Sequence, residues 1–415
     1  MPGTRCRAGL QPRRVAILIV ALPLALHAQQ PLPSSQALTL DAAFERALAA
    51  NPTLTAARLA RPVATAGVAV AGEHPNPEIS YENERETPRQ AIGTTFPIEL
   101  GGKRSRRIAL AEAGVAASDA ELARTIARVR NDVRRAYFEV VAASQHAAAA
   151  DDLRQLAVRA RDAAQARFTV GDVPRLELLQ TELALADVEN EVVAARGEVT
   201  ATRAELNALL GQAADTPLTL SDGLSATALP AMADILARVT QSNTEIAVLD
   251  RRIEEQIARR DLASALRTPD LSAGGALTYD AQPEFSTGWR ASIALTIPVF
   301  TTHRAGVALE ESELSRLKAE RAALVATTTG AVTAAFHRAE SAREQVTRFE
   351  SEILPRALDV ERMAQDGYAA GQTGLPQLIT VLQQGRDIRR RSLEAALGYQ
   401  HALAELERAM GVPLR

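Results

Sequence analysis

Rings are scarce in this chain: phenylalanine, tyrosine and tryptophan make up 3% of 415 residues, although 47% are hydrophobic. Aromatic side chains are the bulky fillers of wide cores, so their shortage excludes a thick globular interior. Cysteine is nearly absent too. The single one, Cys6, precedes an apolar run and leaves everything after it without a disulfide, a thiolate nucleophile or a lipid-attachment cysteine. No apolar stretch reaches the roughly 20 residues that a membrane-crossing helix needs. A basic excess is also missing. The formal net charge is −3, which argues against nucleic acid as a partner.

What is present begins with a leader-like segment. Arg5, Arg7, Arg13 and Arg14 precede VAILIVALPLAL, and Leu26-His27-Ala28 precedes QQPLP. This order predicts a secretory signal over 1–28, cleaved after Ala28, and hence a mature protein outside the cytoplasm. Its loss leaves 43 basic against 50 acidic residues, a net of about −7. Alanine supplies the largest share of the hydrophobic content. It is the best helix former and a poor core filler, so long helices with thin, close-packed seams are expected.

Internal repetition organises the rest. ARFTVGDVPRLELL, from Ala166, matches DGYAAGQTGLPQLI, from Asp366, at an offset of 200 residues, and NALLG ending at Gly211 matches RAMG ending at Gly411. ALAANPTLTAARL around Asn51 resembles RVTQSNTEIAVLD around Asn243, and Thr95-Phe96-Pro97-Ile98 resembles Thr296-Ile297-Pro298-Val299. Two structural repeats are therefore expected, 29–221 and 222–415. Each runs helix, extended pair (about 77–99 and 269–299), very long helix, glycine turn (170–175 and 370–376), helix. From Lys103 to Phe168 and from His303 to Tyr368 the only proline is Pro355, which predicts two rods of roughly 100 Å. After the first turn, Leu178, Leu185, Val192, Val199 and Leu206 recur every seven residues, each followed three residues later by Thr181, Val188, Ala195, Thr202 or Leu209. That alternation is a coiled-coil seam.

The extended segments alternate. Leu271, Ala273, Gly275, Leu277 and Tyr279 share one face and Trp289, Ala291, Ile293, Leu295 and Ile297 answer them, while the other faces are small or polar. This is an antiparallel pair, apolar on one side, of the length a tilted strand needs to cross a bilayer. Tyr279 and Trp289 fall together beside the turn, where amphipathic rings suit a membrane interface. In the first pair only Ile79, Tyr81, Ile92, Thr94 and Phe96 could form an outer face; Glu82, Glu84 and Arg85 would lie in a lumen or beyond the bilayer. Four strands cannot close a barrel, and open edges do not survive in lipid. The chain must therefore oligomerise, and three copies would give twelve strands around an open lumen.

Catalytic and ligand motifs fail on spacing. Gly101-Gly102-Lys103 lacks the upstream glycine of a phosphate loop, and Arg104 replaces its hydroxyl residue. The glycines are better read as a hinge between strand and helix, with Lys103, Arg104, Arg106 and Arg107 as an anchor near lipid phosphates. His303 and Arg304 occupy the same junction in the second repeat. His27, His74, His146, His303, His337 and His401 show no ligand spacing. No catalytic residue, cofactor or metal site is assigned.

The leader, ALTLDAAFERALAANPTLTAARL, the twofold repeat, Tyr368-x-x-Gly371 before an apolar helix, and the terminal RAMGVPL together resemble TolC-like outer-membrane efflux channels. HPNPEISYENE followed by FPIELGGKRSRR resembles their heavy-metal-efflux, CzcC-like branch. The resemblance implies a homotrimer with a β-barrel in the outer membrane of a Gram-negative bacterium and a helical tunnel through the periplasm. Such a channel would serve as passive exit duct for an inner-membrane transporter of the resistance-nodulation-division type and a periplasmic adaptor. It also implies that the tip turns, with Gly171, Asp172 and Val173 in one repeat and Gly371, Gln372 and Thr373 in the other, meet the adaptor. Acidic residues would line the constriction beyond them. Glu177 matches one such position, whereas Gln377 and Thr380 stand where the second repeat should be acidic, so a full acidic ring is not expected. Three copies of Glu177 would still attract cations. Drug efflux and type I protein secretion are alternative cargo classes for such a duct. A periplasmic adaptor would need lipoyl-like β segments around one hairpin, and a soluble coiled-coil protein has no use for the alternation from Leu271 to Ile297.

Overall fold

The computed structural model describes residues 37–414, apart from 87, 282, 284 and 371. The expected signal segment over 1–28 and the tip glycine Gly371 lie outside the described residues. Helices α1 (Leu40–Ala50) and α2 (Pro52–Ala71) lead into strands β1 (Glu78–Asn83) and β2 (Gln90–Ile98), then α3 (Lys103–Thr169) and α4 (Arg175–Leu209). The order recurs as α5 (Met232–Ser242), α6 (Thr244–Ala265), β3 (Asp270–Ala281), β4 (Phe285–Thr296), α7 (Arg304–Arg348), α8 (Leu354–Ala369) and α9 (Leu375–Met410). None of the helices among the described residues is long and apolar enough to cross a membrane.

The helix expected to open each repeat is two helices meeting at an asparagine. Pro52 bars Asn51 from helical backbone, and Asn51 and Asn243 hold nearly the same extended conformation, φ −63° and −65°. Each asparagine caps the helix after it: Asn51 Oδ1 accepts from the amides of Thr53 and Leu54, and Asn243 Oδ1 from those of Glu245 and Ile246. Each also reaches the end of its own repeat. Asn51 Nδ2 donates to the Leu209 carbonyl at 2.8 Å, and Asn243 Nδ2 to that of Met410 at 3.0 Å. Gly211 and Gly411 follow in left-handed conformation, φ +67° and +70°. A Cβ on Gly211 would collide with the Ala50 carbonyl, and one on Gly411 would sit 2.8 Å from the Thr244 amide nitrogen.

Small cores gather at these corners. Phe44 and Leu54 pack with Val133 and Tyr137 of α3 and Leu206 at the end of α4. In the same way Ile235 and Val239 of α5 pack with Val332 of α7 and with Leu406 and Met410 of α9. The Tyr137 hydroxyl donates to the Leu38 carbonyl at 2.7 Å and accepts from the Asp222 amide at 3.1 Å. A buried phenol needs such partners.

With 67 residues, α3 is about 100 Å long. Its neighbour α4 lays against it a seam that matches the heptads: Leu178, Thr181, Val188, Val192, Ala195, Thr202 and Leu206 are buried, and Leu185, Val199 and Leu209 half-buried. The second rod departs from expectation. It is interrupted by a π-helical turn, Phe349–Ile353, just before Pro355. Proline cannot donate to the carbonyl one turn back and its ring crowds it; the wider turn absorbs that misfit.

Candidate functional site

The four strands form one antiparallel sheet in the order β1-β2-β3-β4, leaving β1 and β4 as open edges. Every connection to a helix leaves from one end, and the two hairpin turns lie at the other. Register assigns the faces. Leu271 pairs with Leu295, Ala273 with Ile293, Gly275 with Ala291 and Leu277 with Trp289. Across β2, Phe96 pairs with Ala273 and Ile92 with Leu277, and across β1 Tyr81 pairs with Ile92 and Ile79 with Thr94. Because paired residues point to the same side, all these apolar residues share one face, and it is bare: Ile79 and Trp289 are each 80% exposed and Ile293 79%. The first hairpin thus carries its five expected outer-face residues in one line. Trp289 and Tyr279 stand near the turn end on that face.

At the other end, the junction between β2 and α3 is a left-handed hinge. Gly101 and Gly102 both have φ +71°. A Cβ on Gly101 would run into Thr268, on the segment that enters β3, so close approach requires glycine there. In the second repeat His303 holds the position before α7 with φ +52°, the same handedness without glycine.

The basic cluster after the hinge is spent within the chain, a correction to the lipid-anchor expectation. Lys103, 4% exposed, pairs with Asp270 at the start of β3. Arg104 Nε donates to the Gly72 carbonyl at 2.6 Å, Arg106 pairs with Asp261 at 3.2 Å, and Arg107 binds Glu99 through both oxygens. The Arg107 hydrogen bonds hold the Glu99 carboxyl below its ordinary range. These ties pin four segments, α2, α3, α6 and the strand entrances, at the base of the sheet. Arg304 of α7 is exposed.

At the opposite end of the rods, the first tip turn closes with Gly171 at φ +80° and an Asp172 amide bond to the Arg167 carbonyl at 2.9 Å. Val173 is buried. In the second turn, the amides of Gln372 and Thr373 both donate to the Gly367 carbonyl, at 2.8 and 3.1 Å. Side chains join the two turns. Glu177 accepts from the Tyr368 hydroxyl at 3.2 Å and lies 3.6 Å from Arg167, which also pairs with Asp172 at 2.8 Å and stacks over the Tyr368 ring. Burial above all pushes the Tyr368 phenol upward, and the Glu177 charge adds to this. The phenol therefore stays a donor. Glu177 thus has a phenol and a cation as partners within the chain. Gln377 and Thr380 are exposed, and the Thr380 hydroxyl returns to the Pro376 carbonyl.

Residues 43–212 match the family described as outer membrane efflux protein. The chain is 24% identical over 345 residues to the cobalt-zinc-cadmium resistance protein CzcC of Cupriavidus metallidurans, covering 82% of each. Its fold superposes on the CusC channel with a TM-score of 0.74, covering 93% of this chain and 96% of that one at 15% identity. It superposes on the outer membrane protein VceC of Vibrio cholerae with a TM-score of 0.72, covering 91% and 97% at 14% identity. The first half of the chain thus matches the outer membrane efflux protein family, and the whole fold is that of such channels. The family's members are channels, and this one is built as an efflux channel of the same type, with bare sheet, base and tip in the order such a duct needs.

The alternation of the strands was legible in the sequence, as were the breaks between the long helices; the ties between the two helical hairpins were not. Besides the Glu177 cluster, Arg386 of α9 lies 3.3 Å from Glu191 and 3.7 Å from Asp187 of α4. Only the seven-residue periodicity of α4 hinted that these acids flank its seam. The histidines stay apart: His146 faces Glu191, His337 faces Glu340 and His401 faces Glu139. Among the described residues, no group of three or more potential ligands could hold a metal ion.

Proposed function

We propose that three copies of this chain close their sheets, edge to edge, into a twelve-stranded barrel in the outer membrane of a Gram-negative bacterium. The paired rods would continue it as a tunnel through the periplasm. The observation that carries this reading is the sheet itself: two unpaired edges, one face mainly apolar and bare, the other small and polar with charges near the turn end. Such a sheet is stable in lipid only when its edges are paired, and a face of Ile79, Phe96, Trp289 and Ile293 is satisfied by acyl chains. Tyr279 and Trp289 then mark the outer interface.

In this arrangement the tip turns, around Gly171, Asp172 and Val173 and around Gly371, Gln372 and Thr373, face the pump. They are the contact surface for a periplasmic adaptor that links the duct to an inner-membrane transporter of the resistance-nodulation-division type. Glu177, with Gln377 and Thr380, borders the aperture. The similarity to CzcC supports divalent heavy-metal cations as cargo.

The test is deletion of the gene and complementation, scored for growth on zinc, cobalt, cadmium, copper and a panel of drugs. The expected result is metal hypersensitivity restored by the full-length gene. Unchanged metal tolerance with drug hypersensitivity would replace the cargo and leave the duct standing. Recovery of the protein as a monomer in the soluble fraction, rather than as a membrane oligomer resistant to unheated gel migration, would sink the channel itself.

A further inference from the structure

The polar face of the sheet is lined along its middle by small, uncharged residues. Ser80, Gly93, Gly274, Ala276, Ser292 and Ala294 follow one another across the register. They crowd together: a Cβ on Gly93 would lie 3.1 Å from both Ala276 Cβ and Ser80 Oγ, and one on Gly274 would lie 2.9 Å from Ser292 Oγ. The sheet is therefore curled toward this face. Near the turn end this face carries charge, Asp280 of β3 by register and an opposed pair on the edge strands. Glu82 of β1 and Arg290 of β4 belong to the two opposite edge strands, yet their side chains meet at 2.8 Å. They reach over the two middle strands, where Ala91 and Thr278, on the same rung as Glu82, are each only 5% exposed.

We infer that Glu82 and Arg290 form a selectivity collar that reads the charge of ions crossing the outer part of the barrel. This rests on the closed trimeric barrel proposed above, whose lumen is the polar face. Each copy then sets this carboxylate and this guanidinium into the bore, above the small residues of the two middle strands. Both are about half-exposed, at 46% and 54%, so their pairing contributes little to stability. Their effect on a passing ion is another matter. A charge fixed on the low-dielectric wall of a water-filled bore acts on ions that come within a Debye length, about 10 Å at 0.1 M salt. With both signs present the pair balances itself, and removing either partner leaves the other to act alone.

The experiment is single-channel recording of the purified full chain in planar bilayers under a KCl gradient, reading the reversal potential. Arg290→Gln leaves three unbalanced carboxylates and is expected to move cation-over-anion permeability roughly threefold or more toward cations. Glu82→Gln is expected to move it as far toward anions, and the exchange Glu82→Arg with Arg290→Glu to return the wild-type value. Because a neutralised strand could fail to assemble, Arg290→Cys in a Cys6→Ser background supplies a second route. Cationic and anionic thiol reagents added to the formed pore should shift selectivity in opposite directions. Conducting variants that keep the wild-type reversal potential would overturn the collar. A wild-type preparation that forms no pore would instead overturn the channel reading beneath it.

Discussion

Gly211 and Gly411 do more than end two helices. Each leaves the room in which an asparagine near the start of the same repeat bonds the last turn of that repeat and caps the helix beside it. A side chain at Gly211 meets two penalties at once: left-handed backbone, about 1–2 kcal/mol for a residue with a Cβ, and collision with the Ala50 carbonyl. Gly211→Ala is therefore expected to destabilise by roughly 2–4 kcal/mol, at the high end of single substitutions, and thermal unfolding of the purified protein checks it. Gly114→Ala is the matched control, since nothing lies within 4 Å of its absent Cβ and its backbone is helical; it is expected to be neutral or mildly stabilising. The Asn51 corner was half legible, because Asn-Pro marks a break. Its second bond was not, since no local pattern says which carbonyl waits about 160 residues away.

At the scale of elements, two helical hairpins stand side by side, α3 with α4 and α8 with α9, tied near the tip by Tyr368–Glu177 and by Arg386 with Glu191 and Asp187. The ties are few and partly exposed, each contributing about 0.5–1.5 kcal/mol at most. A boundary held this weakly can part without unfolding either hairpin. Tyr368→Phe combined with Arg386→Ala is expected to raise pore conductance in planar bilayers while leaving the unfolding temperature within a few degrees of wild type; a lower conductance would contradict the arrangement. The hairpins also differ. Seven-residue periodicity made the α4 seam readable, because a seam repeats. The π turn before Pro355 was not readable as such: proline announces a misfit, but whether a kink, a break or a widened turn absorbs it depends on packing that only the three-dimensional structure contains.

At the scale of the whole molecule, the two repeats are joined where α3 meets α9, and His401 sits in that seam. Its Nε2 lies 3.2 Å from Glu139 of α3 but out of line for a hydrogen bond. Burial lowers its pKa first, and Arg135 pushes the same way, while Glu139 opposes them. A histidine whose folded pKa is depressed contributes stability above its unfolded value, near 6.5, and loses it as pH falls through the folded value. Acidification from about 7 to 5 is thus expected to lower the unfolding temperature, and His401→Gln to flatten that dependence; a parallel curve for the variant would exclude His401 as its source. Six residues separate β1 from β2 and three separate β3 from β4, and these turns lie at the end away from every helix. In the proposed orientation, those two short turns are nearly all that the cell displays to the outside. A bacteriophage or an antibody would find little to grip, and an epitope inserted at 84–89 would be the practical way to make the channel visible on living cells.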